Sequence, residues 1–446
     1  MKSRRVLLLA MSGVRVKSDE LRQLGMTLPG FIERGQVIAS LPSLSLLTLA
    51  AHTPQNWEPE YREIDEIPDD AATQIAGAGY DIVAISALSA RVLEAYEIAD
   101  QLREAGVTVV LGGLHVSALP QEALAHADAI VVGEAELLWP ELLADFEGSV
   151  LRRRYSSMDS PRRYDFAHAQ VPPYDMLDIA RYNRVTLQTS RGCPLDCEFC
   201  GASGLISPYK IKPLAQIRRE LEAILDIWPR PFIELADDNT FVSKKWAREL
   251  ARLFAEYGIR WFTETDLSVA DDDELLELLA LSGCAQVLIG LESVDPGALG
   301  QLDSRRWKQS QLDGYTAKIR KIQSHGISVN GCFVLGFDQD DPGVFDRTRE
   351  FVQASGLSEV QITILTPFPG TGLYSRLRSE GRLLKPVFWD SCTLFDVTYR
   401  PKRMSADELE DGFRGLMRDL YSPQQSDTRK EIRKECYWRQ LAGATA

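Results

Sequence analysis

The stretch Ser190–Cys200, SRGCPLDCEFC, puts Cys193, Cys197 and Cys200 within eight residues of a chain that has seven cysteines in all. A structural zinc site takes four ligands, usually as two close pairs, and no second pair lies elsewhere in the sequence. A thioredoxin-like redox motif uses C-x-x-C alone, which leaves Cys193 without a purpose. Three thiolates on one short loop can hold three irons of a cubane [4Fe–4S] cluster, with the fourth iron open to an external ligand. An open coordination position belongs to a reactive site rather than to a structural one.

Downstream of this loop the sequence alternates strands and helices. VTLQTS (Val185–Ser190) reads as a strand running into the cysteines, and PLAQIRRELEAILD (Pro213–Asp226) as a helix with proline in its first turn. PFIELADDN (Pro231–Asn239) is a strand ending in acids, and KKWARELARLFAEYG (Lys244–Gly258) is an amphipathic helix with a glycine stop. IRWFTETD, AQVLIGLES, GISVNGCFVLGF and EVQITILTPFPGTG follow as strands separated by helices. About six β/α units predict a barrel-like arrangement with its reactive groups at the carboxyl ends of the strands.

Upstream, VLLLA (Val6–Ala10), YREID (Tyr61–Asp65), DIVAIS (Asp81–Ser86), VTVVLGG (Val107–Gly113) and AIVVGE (Ala129–Glu134) read as strands. Helix-like segments lie between them at Ser43–Thr53 and Val92–Gly106, and a long polar loop follows the first strand. Near-continuous Val, Ile and Leu predict a parallel sheet covered on both faces. Residues 151–184, rich in Arg, Pro, Ser and Asp, read as a linker ordered by its tyrosines; its Arg152–Arg154 run with Arg162 and Arg163 is expected to be solvated. After Leu373 the chain turns helical and charged, with Ser405 as a capping residue before an apolar stripe at Leu409, Phe413, Leu416 and Leu420. Trp389, Phe395 and Tyr399 are expected to plug or line a barrel end. The expected division is 1–150, 151–184, 185–372 and 373–446.

The length suits two domains with appendages. A formal charge of −14 disfavours a nucleic-acid partner. No apolar run approaches the roughly 20 residues that span a bilayer, and the first hydrophobic run is too short for a signal peptide. A cytoplasmic protein is expected. The four remaining cysteines are scattered, unlike a disulfide framework; Cys284 and Cys332 are expected to be buried as small hydrophobes.

A C-x3-C-x2-C loop after the first strand of a partial barrel resembles the radical S-adenosylmethionine (SAM) superfamily, and Phe199 before the last cysteine matches a residue that lies near the adenine there. The resemblance implies that SAM chelates the open iron, that one electron breaks a carbon–sulfur bond, and that a 5′-deoxyadenosyl radical usually results. ELADDNT (Glu234–Thr240) resembles the segment taking the SAM amino group, through Asp237 and Asp238. TETD, with Glu264 and Thr265, and IGLES, with Glu292 and Ser293, resemble strand ends meeting the ribose and methionine. GCFVLGF resembles the strand flanking the adenine, where Gly336 would permit close approach, and TPFPGTGLY (Thr366–Tyr374) resembles the loop after the sixth strand.

The first unit resembles the cobalamin-binding domain that precedes the barrel in one radical SAM branch. SALS (Ser86 to Ser89), GGLH (Gly112, Gly113 and His115) and GEAE (Gly133 and Glu134) fall at strand ends on the ligand side, where small residues let a flat ring approach the backbone. The Asp-x-His pair that ligates cobalt from below in many cobalamin proteins does not occur here, and radical SAM members often lack it too. The expected fold is therefore α/β: an N-terminal Rossmann-like sheet, a partial (β/α)6 barrel and a helical tail. The resemblance implies a [4Fe–4S] cluster, SAM and cobalamin, a small-molecule substrate, an electron donor such as flavodoxin or ferredoxin, and C-methylation. Its alternatives are oxidation, cyclisation or transfer of a 3-amino-3-carboxypropyl group, and a non-enzymatic iron–sulfur sensor.

Overall fold

A computed structural model describes residues 3–11, 16–24, 41–201 and 205–444. The polar loop expected after the first strand lies mostly outside the described residues. Two parallel six-stranded sheets organise the rest. The first contains β1 (Arg4–Met11), β2 (Trp57–Glu63), β3 (Ile82–Ala87), β4 (Thr108–Gly112), β5 (Ala129–Val132) and β6 (Arg154–Ser156), in the order β2-β1-β3-β4-β5-β6. This is a doubly wound order whose ligand side is the carboxyl ends of the strands. Alternation along β1 explains the layers: Leu7, Leu9 and Met11 join the core on one face, and Val6, Leu8 and Ala10 the core on the other.

Two details differ from the sequence reading. β2 begins at Trp57 rather than Tyr61, because it is an edge strand, where Pro59 is tolerated. The supposed linker supplies β6, whose Tyr155 is 1% exposed while its arginine neighbours point outward. Tyr164, Phe166, Tyr174 and Tyr182 are also buried, so this stretch is ordered by its aromatic residues.

The second sheet contains β7 (Val185–Leu187), β10 (Phe232–Leu235), β11 (Arg260–Thr265), β12 (Cys284–Glu292), β13 (Ser328–Leu335) and β14 (Glu359–Ile364), paired in sequence order and left open between β7 and β14. A short hairpin of β8 (Ser190–Arg191) and β9 (Lys210–Ile211) flanks the cysteine loop. Val287, Ile289 and Leu291 join the core under the helices, so alternation turns Gln286, Leu288 and Gly290 into the lumen. The helix Lys244–Ala255 shows the outer layer: Ser243 caps the Trp246 amide, and Trp246, Ala247, Leu250, Ala251, Leu253 and Phe254 are buried.

The tail does three things. Ser405 and Glu408 form the expected capping box of the helix Ala406–Leu420. The helix Pro423–Ala444 lies across the amino ends of the barrel strands: Gln440 donates to Cys284 O at 2.8 Å, and Arg433 binds Glu359 at 2.6 Å. Phe395 and Tyr399 enter the barrel core, but Trp389, with Tyr374, Phe388 and Cys392, belongs to the core of the first sheet. The tail thus ties the two sheets together. Among the described residues no helix is long and apolar enough to cross a membrane.

Candidate functional site

The cysteine loop sits at the carboxyl end of β7 and is held from three directions. Gly192, at φ +90°, donates its amide to Asp238 Oδ2 at 3.0 Å; a Cβ there would meet the Tyr209 backbone at 2.7 Å, so only glycine fits. On the far side, the Glu198 amide donates to Leu302 O at 3.2 Å, and Ser304 donates through its amide and hydroxyl to Asp196 at 3.3 and 2.6 Å. Arg376 grips the Glu198 carboxylate at 2.7 and 2.9 Å. None of Cys193, Cys197 and Cys200 is in a disulfide, and Cys200 is exposed. Burial pushes the Cys197 thiol up to about 12, while Lys308 pulls it the other way. Phe199 stands edge-on to Phe337, 6.0 Å between centroids.

The expected SAM residues divide. Asp237 is not available to an ammonium, which corrects the sequence reading: it is 4% exposed and its oxygens are filled. They accept from the Thr189 and Ser190 amides at 2.7 and 2.9 Å, from Ser190 Oγ and Thr240 Oγ1 at 3.0 and 3.1 Å, and from Thr189 Oγ1. It fastens the end of β10 to the turn after β7. Asp238 is only half-buried and stands beside the cysteine loop. Thr265 is buried against Asn239, and Ser293 Oγ accepts the Asp295 amide at 3.0 Å. Gly336, at φ +102°, is required for a different neighbour than expected: a Cβ there would collide with Tyr399 Oη, which donates to Gly336 O.

Glu264 borders open space inside the barrel, while protein surrounds that space. Loss of bulk water, then the nearby Glu234, Asp238, Glu292 and Asp237 carboxylates, push its carboxyl up to about 8. Glu234 is paired with Arg184, and Glu292 with Lys308 at 2.6 Å. Glu292 is held at φ +65°, at an irregularity in the β12 register, and Lys308 Nζ also donates to Gly290 O at 2.7 Å. Left-handed backbone at a non-glycine residue beside a buried ion pair is the kind of strain that gathers at functional sites. Cys332 is not fully buried as expected; it lies on the lumen side, with Glu292 and Glu264 nearby.

On the first sheet, Gly112, Gly113 and Gly133 stand at the carboxyl ends of β4 and β5. Gly113, at φ +109°, would bring a Cβ to 3.2 Å from Ser86 Oγ. Ser117 laces the two loops together, donating to Gly113 O at 2.8 Å and accepting the Gly133 amide at 2.9 Å. His115 is displaced from its expected role: it is 1% exposed, its nitrogens meet Ser89 Oγ at 3.1 Å and Glu122 at 3.2 Å, and Trp389 packs edge-on at 5.2 Å. His115 is thus turned into the protein, with Ser89, itself partly exposed, as the partner of its Nδ1. Glu134 is likewise 5% exposed and paired, with Arg191 at 2.7 Å and with Lys210. Arg191 also binds Glu136 at 2.7 Å, so the residue two before Cys193 is clamped to the loop after β5.

Family profiles assign these parts. The profile of the B12 binding domain matches residues 35–143, that of the radical SAM superfamily residues 187–352, and a domain of unknown function residues 371–443. Bacteriochlorophyllide d C-8(2)-methyltransferase of Chlorobaculum tepidum is 31% identical over 341 residues, covering 73% of this chain and 74% of the relative. The chain belongs to the radical SAM superfamily. Its branch is the one with a B12-binding domain. Bacteriochlorophyllide d C-12(1)-methyltransferase of the same organism is 26% identical over 399 residues, covering 87% and 84%. Among solved structures, the radical SAM methyltransferase TsrM of Kitasatospora setae, with cobalamin and a [4Fe-4S] cluster bound, superposes with a TM-score of 0.67 at 16% identity, over 94% of this chain and 85% of that one.

The cofactors of this radical SAM enzyme are a [4Fe–4S] cluster, SAM and cobalamin. The residues present fit them. Among the described residues no three His, Cys, Asp or Glu side chains close on a single ion. A cubane takes one thiolate per iron, so three thiols spaced along one loop suit it. A lumen whose Glu264 neighbours are carboxylates suits a cationic cosubstrate. The strand ends carry small Ser86, Gly112, Gly113 and Gly133 beside the exposed Leu88 and Leu114, and small and apolar groups together suit a flat ring.

The sequence reading missed Arg191, Glu136, Arg184 and Lys308. The second acid of GEAE and the arginine before Gly192 were visible signals for the first two. Nothing local marks Lys308, whose partner lies 16 residues earlier.

Proposed function

We propose that this chain is a cobalamin-dependent radical SAM C-methyltransferase of a small biosynthetic molecule. The observation carrying the reading is the seam at Arg191, where the cysteine loop of one cofactor-binding fold is clamped to the strand-end loop of the other. When bound, the cofactors supply reductive cleavage of a carbon–sulfur bond and a corrin that relays a methyl group. The chain's part is to hold and to exclude. Cys193, Cys197 and Cys200 would hold the cluster through three thiolates. Asp238 and Glu264 offer carboxylates to a cationic cosubstrate, and Phe199 offers an aromatic edge. Ser86, Gly112, Gly113 and Gly133 receive the corrin. The relatives' names as methyltransferases support methyl transfer over oxidation, cyclisation or transfer of another SAM fragment.

The same reading takes 1–150 as the corrin domain, 185–372 as the barrel and 373–446 as the closing tail, in a cytoplasmic enzyme served by an electron donor and without a nucleic-acid partner. The test is anaerobic reconstitution with iron, sulfide and hydroxocobalamin, which should give about four irons and one corrin per chain. SAM labelled in the methyl group then follows the product. Label arriving from the amino-acid portion, or no labelled product with cluster and corrin both in place, overturns methyl transfer. No SAM cleavage at all points to a sensor.

A further inference from the structure

The chain carries 64 acidic against 50 basic residues, yet residues 376–403 hold seven Lys or Arg against three acids. This basic stretch is joined to the cysteine loop. The helix Gly372–Ser379 starts against that loop: the Leu373 amide donates to Glu198 O at 3.0 Å, and Arg376 binds the Glu198 side chain. Glu198 lies between Cys197 and Cys200. Eight helical residues span about 12 Å, so the far end of the helix is one short rod from the cluster ligands.

At that far end the surface changes character. A cavity of about 450 Å³ opens between the helix, the loop 381–389 and the first domain, with Leu119, Glu122, Tyr374 and Trp389 among its walls and Arg378 and Lys385 also lining it. Leu384 and Val387 beside it are 40% and 49% exposed. Arg378, Lys385, Arg400, Lys402 and Arg403 are all exposed around this apolar centre. The acids among them do not cancel the patch: Asp338 is shared by Arg376, Arg382 and Lys402 at 2.7, 2.8 and 2.9 Å, and Glu380 is paired with Arg382 at 2.9 Å.

A small apolar centre ringed mainly by basic charge, its acids Glu122 and Glu380 engaged by Trp389 at 3.1 Å and Arg382 at 2.9 Å, is the anatomy of a brief, electrostatically steered protein encounter. Its positive sign stands against the charge of the whole chain, so it selects an acidic partner. We propose that the face formed by residues 378–387 and 400–403 docks a small acidic one-electron carrier protein that reduces the cluster. The carrier loses one electron and the cluster gains one; no covalent bond forms or breaks and no proton moves. This inference rests on the electron demand of the proposed function and names where it is met.

The test uses an acidic flavodoxin as the probe and the reconstituted full chain. Flavodoxin should bind at low ionic strength and lose affinity steeply as salt is added. R378E/K385E should weaken binding and slow bleaching of the cluster's visible absorbance by reduced flavodoxin, each by about tenfold or more. Bleaching by dithionite should be unchanged. R400E/R403E reads the same face should the first variant fold poorly. Flavodoxin affinity that is insensitive to both charge reversals, or to salt, overturns the assignment. So does an equal loss of dithionite bleaching in well-folded variants, which would place the effect on the cluster loop. Methyl transfer driven by a chemical reductant tests the enzyme reading separately and should survive in both variants.

Discussion

Arg191 lies 2.7 Å from Glu134 and 2.7 Å from Glu136, and those two contacts join the cysteine loop to the corrin side of the first sheet. The three side chains are 17%, 4% and 5% exposed, so the pairing is made largely out of water. Phe166 lies against the guanidinium, 4.9 Å from its ring centre. Lys210 remains beside Glu134, which leaves Glu136 as the acid that depends on Arg191.

R191A should therefore destabilise the protein by about 3 kcal/mol, the cost of stranding a buried carboxylate. Urea denaturation checks it. The Glu136 carboxyl is pulled below its ordinary 4.5 by Arg191, against the opposing effect of burial. A depressed folded value stabilises above the unfolded value and is lost as pH falls through the folded one. Without Arg191, burial raises the Glu136 carboxyl, so the R191A deficit should be full only above that raised value and shrink steadily as pH falls. A deficit that grows on acidification would contradict this pairing.

Glu264 gives the opposite slope. Its carboxyl is raised to about 8 by loss of water and by neighbouring carboxylates. The unfolded chain ionises this group near 4.5 and the folded chain near 8, so the folded state loses stability as pH rises between the two and levels off above. E264Q should remove that slope from the SAM-free protein and raise its stability at pH 8.5 relative to wild type. It should also weaken SAM binding, measured by calorimetry. Identical stability–pH curves for the two proteins would rule out the lumen environment described here.

Lys308 and Glu292 should behave as a unit. K308M leaves Glu292 buried beside other acids and should cost about 3–5 kcal/mol. K308M/E292Q should recover a large part of that, because no unpaired charge then remains. A double-mutant cycle by urea denaturation measures the coupling. Additive losses would mean the two groups do not interact.

Alanine at Cys193, Cys197 or Cys200 should abolish iron retention and leave far-UV circular dichroism unchanged, since none of the three belongs to the buried cores. C332A should keep its iron. Iron analysis and visible absorbance of the reconstituted variants decide both.

Much of the fold is legible in the residues because it is local. Runs such as VLLLA and DIVAIS are short and nearly continuously apolar, as strands of a parallel sheet covered on both faces are. The cysteine spacing is equally local, since three ligands within eight residues need no tertiary information to be read together. The edges were harder. Pro59 in β2 and Arg154 in β6 break the apolar run, yet edge strands need only one paired side, and they accept both.

The sequence by itself determined a covered parallel sheet, a barrel-like run of β/α units and a loop of three thiols leading out of its first strand. Those follow from periodicity and spacing, which are properties of neighbouring residues. Only the tertiary structure decided which acid meets which base. Asp237 went to the hydroxyls and amides of the β7 turn, Glu134 to Arg191, Glu292 to Lys308, and Trp389 left the barrel for the core of the first sheet. A carboxylate is read the same way in every sequence; whether it holds a ligand or a loop depends on the partner that folding brings within hydrogen-bond reach.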